Sequence, residues 1–205
     1  GRIDGFCVGE PWGSVAVESG AGMIATVKAR LWPLSPEKVL GVTETWAAEY
    51  PEALSALLRG LHRAAVWCGE PANHAEAAFL LSRSEYLGQS ADVIGRALSG
   101  RLQQAPDHEI LVKDFFVAHE HAASSPNPAD ALWYYSQMVR WGDVQHSAER
   151  AAKAAGSYRP ALYRVAAGNE TPHLSRGGWF DGVRYDPDGL EAYIETLRQR
   201  DLLIS

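Results

Sequence analysis

From Pro51 onward the apolar residues fall at helical spacing, with Leu54, Leu57, Leu58, Leu61, Ala65 and Cys68 forming one stripe and Arg59 and Arg63 turned toward water. Residues 51–68 are therefore expected to form one amphipathic helix. The same grammar continues downstream. Helices are expected over residues 72–82, 91–99, 129–141, 147–155, 159–167 and 188–199, separated by punctuation such as Ser124-Ser125-Pro126-Asn127-Pro128 and Tyr185-Asp186-Pro187-Asp188-Gly189. Thr43 is placed to cap a shorter helix that Pro51 interrupts or restarts.

Ahead of that stripe the pattern reads as β. Residues 3–8 form a short apolar-rich run, expected to be a buried strand already under way where the sequence starts, followed by the sharp turn Gly9-Glu10-Pro11-Trp12-Gly13 into a brief helix. That helix should stop at Gly20 and Gly22. A second strand is expected over residues 23–31, halted by Trp32-Pro33, and a third over residues 38–42. Strands in front and helices behind predict an α/β chain weighted toward helix, with neither internal repeats nor low-complexity tracts.

Composition removes several function classes. With 205 residues, 46% of them hydrophobic, the chain can bury a substantial core, but no apolar run approaches the roughly 20 residues that cross a bilayer. No transmembrane segment is expected. The net charge is −6 and the 19 basic residues are scattered, so the footprint of a nucleic-acid binder is missing. The two cysteines, Cys7 and Cys68, do not make a disulfide framework, and Cys68 on its helix face reads as a packed thiol. The sequence opens with neither Met nor a signal peptide and is expected to begin mid-fold.

Two segments carry candidate chemistry. In the first, Ile3 to Trp12, a strand end running into a helix start offers free backbone N–H groups to an anion, and Gly9 permits close approach of a ligand to the backbone. On spacing alone a tight strand-to-helix turn without ligand is the favoured account, since Gly-Pro turns are common. Glu10 can brace that turn, pair with a cation, or be a plain exposed carboxylate. In the second, Leu31 to Gly41, Lys38 stands at the entrance to an apolar run, and by composition alone it is a solvated loop lysine.

Together the strings IDGFCVGEPW and LWPLSPEKVLG, their separation, and the later LLSRSEYLG and ALWYYSQMVRWG resemble the C-terminal half of the nitrate/bicarbonate receptor family. That family comprises the solute-binding proteins of nitrate and bicarbonate ABC importers and the related cytoplasmic nitrate/nitrite sensors. The resemblance implies a periplasmic-binding-protein (type II) fold, α/β and helix-rich, that closes over one planar oxyanion without making or breaking bonds. Residues 1–45 are expected to form the inter-lobe, ligand-binding region and residues 46–205 a mainly helical lobe.

By the same resemblance, Gly9 of the GEPW motif supplies a main-chain contact and Lys38 of the PEKVLG motif supplies the cation, with Cys7, Glu10 and Trp12 around them. The remaining ligand-binding side chains belong to the family's N-terminal half, so this chain should carry half of a pocket and bind weakly or not at all alone. Family members that bind bicarbonate tend to place an acidic group and a metal there; Lys38 therefore tilts the reading to nitrate or nitrite. The charge logic agrees, since a buried ammonium about 4 Å from a monoanion supplies around 4 kcal/mol at an effective dielectric near 20. The implied partners are an importer's membrane subunits, with a periplasmic or membrane-associated setting, or, for a cytoplasmic sensor, an RNA-binding antiterminator. No cofactor or metal is implied.

Other candidates read as structure. His119-Glu120-His121 with Asp114 could suggest a metal-dependent hydrolase, but it lacks the i, i+4 histidine spacing and fits a solvated helix end or loop. His62 and His74 are expected at the surface of their helices. Cys7, on its expected buried strand, has no histidine placed to activate it. Trp133, Tyr134, Tyr135, Met138 and Trp141 make an aromatic helix expected to serve packing.

Overall fold

The computed structural model describes residues 3–168 and 182–204. In chain order its helices are α1 (Trp12–Glu18), α2 (Lys28–Leu31), α3 (Glu44–Glu49), α4 (Pro51–Gly69), α5 (His74–Leu81), α6 (Ala91–Ser99), α7 (Pro128–Arg140), α8 (Ala148–Ser157), α9 (Pro160–Ala167) and α10 (Leu190–Ile204). Between α6 and α7 lies an antiparallel hairpin of β1 (Arg101–Ala105) and β2 (His108–Leu111). The described residues fall into two compact units, one drawn from Gly1–Arg30 and Val66–Ala118, the other from Leu31–Ala65 and His119–Ser205.

The first unit is built around the hairpin. β1 and β2 pair Leu102 with Ile110 and Gln103 with Glu109. Leu102, fully buried, packs with Val27, Ala97 and Val112. Helix α6 presents Val93, Ile94 and Ala97 to the interior, a one-face spacing. Ser90 caps it by accepting from the Val93 N–H at 3.2 Å. At its other end Gly100 adopts φ 70°, and a Cβ there would lie 2.4 Å from the Val112 carbonyl oxygen. Small residues let α5 approach, since Ala77 and Ala78 are buried and Gly95 faces the Ala78 methyl. Arg96 of α6 reaches both Asp92 and Glu18 of α1.

The second unit has an aromatic core. Trp32, Trp133, Tyr185, Tyr193 and Leu197 form one buried cluster, with Trp32 edge-on to Trp133 at 4.5 Å between ring centroids. Tyr135, Val139 and Ile194 form a second on the same helix pair, α7 and α10. The Tyr135 hydroxyl accepts from the Ser147 N–H at 3.0 Å and so ties α7 to the start of α8, where the Ser147 side chain caps the Arg150 N–H. Arg140 of α7 grips Asp201 of α10 through two hydrogen bonds of 2.7 and 2.8 Å. Thr43 caps α3 by accepting from the Trp46 N–H at 3.2 Å, and Pro51 opens α4 after Tyr50 leaves helical geometry, as the residue before proline must.

The expected helices are found within a few residues of their sequence bounds, whereas the three expected strands are not. Residues 3–8 are irregular and exposed, with Ile3 75% accessible, so the buried strand expected there is overturned. Residues 22–27 are irregular and Lys28–Leu31 is a helical turn; what survives of the second strand is Ile24, whose N–H and C=O are bonded to Gln104 at 2.9 Å each. Residues 38–42 are likewise irregular and belong to no ladder among the described residues. A strand needs a neighbour to complete its hydrogen bonds, and the sheet among the described residues has only two strands, β1 and β2. His62, expected at the surface, is half-buried with its Nδ1 3.0 Å from the Tyr163 hydroxyl, and His74 packs edge-on against Phe116.

Two predictions follow from these contacts. Gly100→Ala puts a Cβ both in a left-handed conformation and against a carbonyl, so it should lower stability by more than about 1 kcal/mol in denaturant unfolding. The Arg140 hydrogen bonds hold the Asp201 carboxyl below the usual carboxylate range. A lowered folded-state value gives stability that is complete above the unfolded value near 4 and is lost as pH falls through the folded one. Asp201→Asn should therefore be less stable than the parent at pH 7, with the gap closing as pH drops toward 2 in acid-unfolding curves.

Candidate functional site

The residues singled out from sequence lie in both units. Cys7, Gly9, Glu10 and Trp12 share one turn of the first; Lys38 belongs to a loop of the second.

The first half-site is built by the entry into α1. Gly9 is exposed, its carbonyl accepts from the Trp12 N–H at 3.2 Å, and a Cβ added to it would meet no atom within 4 Å. Its backbone is therefore accessible, although no close approach within this chain requires glycine there. Pro11 leaves α1 without a capping side chain of its own. Glu10 takes that role, its Oε2 accepting from the Ser14 N–H at 3.3 Å. Glu10 thus braces the turn, one of the readings its position allowed, and brings negative charge to the helix start. The Trp12 ring is 45% exposed. Cys7 is an exposed thiol rather than a packed one, because the strand meant to bury it is not formed.

The second half-site is the loop from Trp32 to Lys38. Trp32 is sunk in the aromatic core, and the Pro36 carbonyl accepts from the Tyr134 hydroxyl at 3.0 Å. Between these points Leu34 has φ 55°, a left-handed conformation that costs a leucine on the order of 1–3 kcal/mol and persists when its flanks fix it. Lys38 then projects into solvent, with its side chain 83% exposed and ion-paired to the neighbouring Glu37. In this chain the ammonium is therefore solvated. At 4 Å in water-like surroundings the ammonium is worth about 1 kcal/mol to a monoanion, against about 4 kcal/mol when buried.

Sequence reasoning did not find the parts that hold this loop. Trp133 and Tyr134 read as packing aromatics, and Trp133 is buried, but Tyr134, 36% exposed, spends its hydroxyl on the loop. One helical turn before it, burial pushes the Asp130 carboxyl up to about 6. The signal was present in the dense WYY run, yet its partner lies 98 residues earlier. For the His119 segment, the His119 ring stands edge-on to His62 at 5.4 Å. Among the described residues no group of three or more His, Cys, Asp and Glu is arranged to hold a metal ion, and no helix is long and apolar enough to cross a membrane.

Comparison with known proteins places these two loops in context. Residues 1–82 match the model of the NMT1-like family. The nitrate/nitrite binding protein NrtA of Synechococcus elongatus is 33% identical over 97% of this chain and 47% of its own length. The bicarbonate-binding protein CmpA of the same species is 30% identical over 97% of this chain and 48% of its own. The crystal structure of the periplasmic nitrate-binding protein NrtA from Synechocystis PCC 6803 superimposes with a TM-score of 0.85 at 30% identity, covering 94% of this chain and 53% of that one.

The chain is a homologue of the nitrate- and bicarbonate-binding receptors along nearly its whole length.

Its fold is accordingly the α/β fold of the periplasmic binding proteins, here in a helix-rich portion. The chain spans about half the length of the curated receptors it matches. Importer ATP-binding proteins also align, such as NrtC of Synechocystis, 30% identical over 100% of this chain and 32% of its own length.

The two thiols should separate chemically. Burial pushes the Cys68 thiol up, which depresses its thiolate population, while Cys7 is open to solvent. A disulfide reagent at pH 8 should modify Cys7 first and Cys68 more slowly, with peptide mapping assigning the phases.

Proposed function

We propose that this chain binds nitrate or nitrite as part of the solute-binding component of an ABC importer, with Lys38 as counter-ion and Gly9 as main-chain donor. Residues 1–45 form the ligand-facing region of that reading. The single observation that carries it is kinship along nearly the whole chain to proteins named for nitrate or nitrite binding, in a sequence that keeps a lysine in the PEKVLG motif. Proteins named for bicarbonate are about equally similar, so the choice between anions rests on the charge at position 38. An ammonium there favours a monoanion needing no bridging metal, whereas a carboxylate would repel one.

The mechanism is reversible capture. An exposed Lys38 attracts the anion weakly; covering the pair removes water and multiplies the attraction. Glu37, the present partner of the ammonium, is displaced or bypassed when the anion arrives. Planar shape is then read by fixed donors, of which the Gly9 backbone is one. The binding-protein reading is preferred over a hydrolase built on His119 and His121, since the relatives are named as receptors and importer components. It is preferred over a cytoplasmic sensor of an antiterminator for the same reason.

A second reading has an observation of its own. Alignment of the entire chain with part of importer ATP-binding proteins fits an anion-sensing segment attached to the ATPase of the same transport system. The full-length protein would then hydrolyse ATP, which a receptor does not.

Isothermal titration of the full-length protein with nitrate tests the leading reading. Lys38→Ala should weaken binding by about tenfold or more, the loss of at least about 1.4 kcal/mol. An unchanged affinity would remove Lys38 from the site.

A further inference from the structure

We propose that Tyr134 is the positioning residue of the Lys38 loop, its hydroxyl fixing through the Pro36 carbonyl where the Lys38 ammonium meets the anion. The inference rests on the reading of Lys38 as counter-ion and adds a residue that the motif itself does not contain.

The loop has two fixed points, and both are on consecutive residues of one helix. Trp32 packs edge-on against Trp133, and the Pro36 carbonyl accepts from the Tyr134 hydroxyl at 3.0 Å. Because Trp133 and Tyr134 both stand on α7, the separation of the two points is set by a helix and not by the loop. The chain between them passes through Leu34 at φ 55°, a conformation that a leucine holds only where its surroundings over-determine it. Lys38 follows Pro36 by two residues. Its side chain is 83% exposed, so its direction is inherited from the backbone that carries it.

Burial argues that the tyrosine's task is local. Tyr134 is itself exposed, outside the buried clusters that stabilise α7, and its ring packs against Trp133 at 5.2 Å without needing the hydroxyl. Phenylalanine at this position keeps the ring contact and deletes only the tether. Loss of the tether frees the loop to sample more positions, and the binding-competent one becomes a smaller fraction of the ensemble.

The test uses the full-length protein and three forms: the parent, Tyr134→Phe and Lys38→Ala. Nitrate binding is measured by calorimetric titration, melting temperature by circular dichroism, and backbone hydrogen exchange over residues 34–42 and over α7 by mass spectrometry. Expected for Tyr134→Phe are a nitrate affinity about three- to tenfold weaker, the span of one neutral hydrogen bond, an unchanged melting temperature, and faster exchange confined to residues 34–42. If Lys38→Ala abolishes binding while Tyr134→Phe binds like the parent, the positioning role is overturned and the counter-ion reading stands. If Lys38→Ala binds like the parent, the counter-ion reading fails and takes this inference with it. A fall in melting temperature with faster exchange throughout α7 assigns Tyr134 to the core and also overturns the proposal.

Discussion

The contact between Trp32 and Trp133 is where the second unit joins a loop to its core. Edge-on aromatic pairs of this kind add about 0.5–1.5 kcal/mol beyond the apolar area they bury. More consequential is their placement: Trp32 is the last buried residue before a stretch that is half-buried over residues 34–36 and exposed beyond it, and Trp133 stands on the helix that also packs Tyr193 and Leu197 of α10. The core therefore ends at one indole, and the segment beyond it owes its course to α7. The Arg140–Asp201 fork fastens the same two helices further along, while the Tyr134 hydroxyl is bonded to the loop.

The first unit solves a different problem, that of a short hairpin with little sheet around it. Leu102 carries the interior side of β1, and α5 and α6 are brought close to one another by alanines and glycine instead of large side chains. Gly100 then lets the chain turn from α6 directly into β1 beneath the Val112 carbonyl. Glu10 caps α1 where proline leaves no side chain to do so, which keeps the GEPW turn in shape at the cost of adding negative charge beside a backbone proposed to meet an anion.

Helices were legible in the sequence because their causes are local. The Thr43 cap, the restart at Pro51 and the helix that follows it all have causes within a few residues and are found as read, although of the stripe from Leu54 to Cys68 only Leu54 is buried and Leu57 and Leu61 are exposed. Strands were not, because a ladder is completed by a partner that periodicity cannot name. Residues 3–8 have the composition of a strand and lack its neighbour among the described residues, whereas the real hairpin has a mostly polar run, Arg101-Leu102-Gln103-Gln104, whose one buried leucine gives no alternation to notice. The candidate site divides in the same way. Gly9 and Lys38 could be pointed to from a resemblance carried by contiguous motifs, but the tether from Tyr134 to Pro36 joins residues too far apart for spacing to reveal, and the buried thiol expected at Cys7 depended on a strand that did not form.

Exposure decides how a lysine of this kind can serve a receptor. In water the ammonium is worth about 1 kcal/mol to an anion 4 Å away, and at an effective dielectric near 20 about 4 kcal/mol. The difference of roughly 3 kcal/mol is about 150-fold in affinity, and it comes from what covers the pair, not from the lysine. A receptor built on Lys38 therefore gains most of its affinity in the step that excludes water, and donors fixed around the covered anion, rather than charge, set its selectivity among monoanions. Until that step the Glu37 carboxylate holds the ammonium at the surface, a weak and screened partner that an arriving anion can replace without a large penalty. A loop pinned at Trp32 and Pro36 suits such a step, since it presents the charge at a defined place while leaving its end free to be covered.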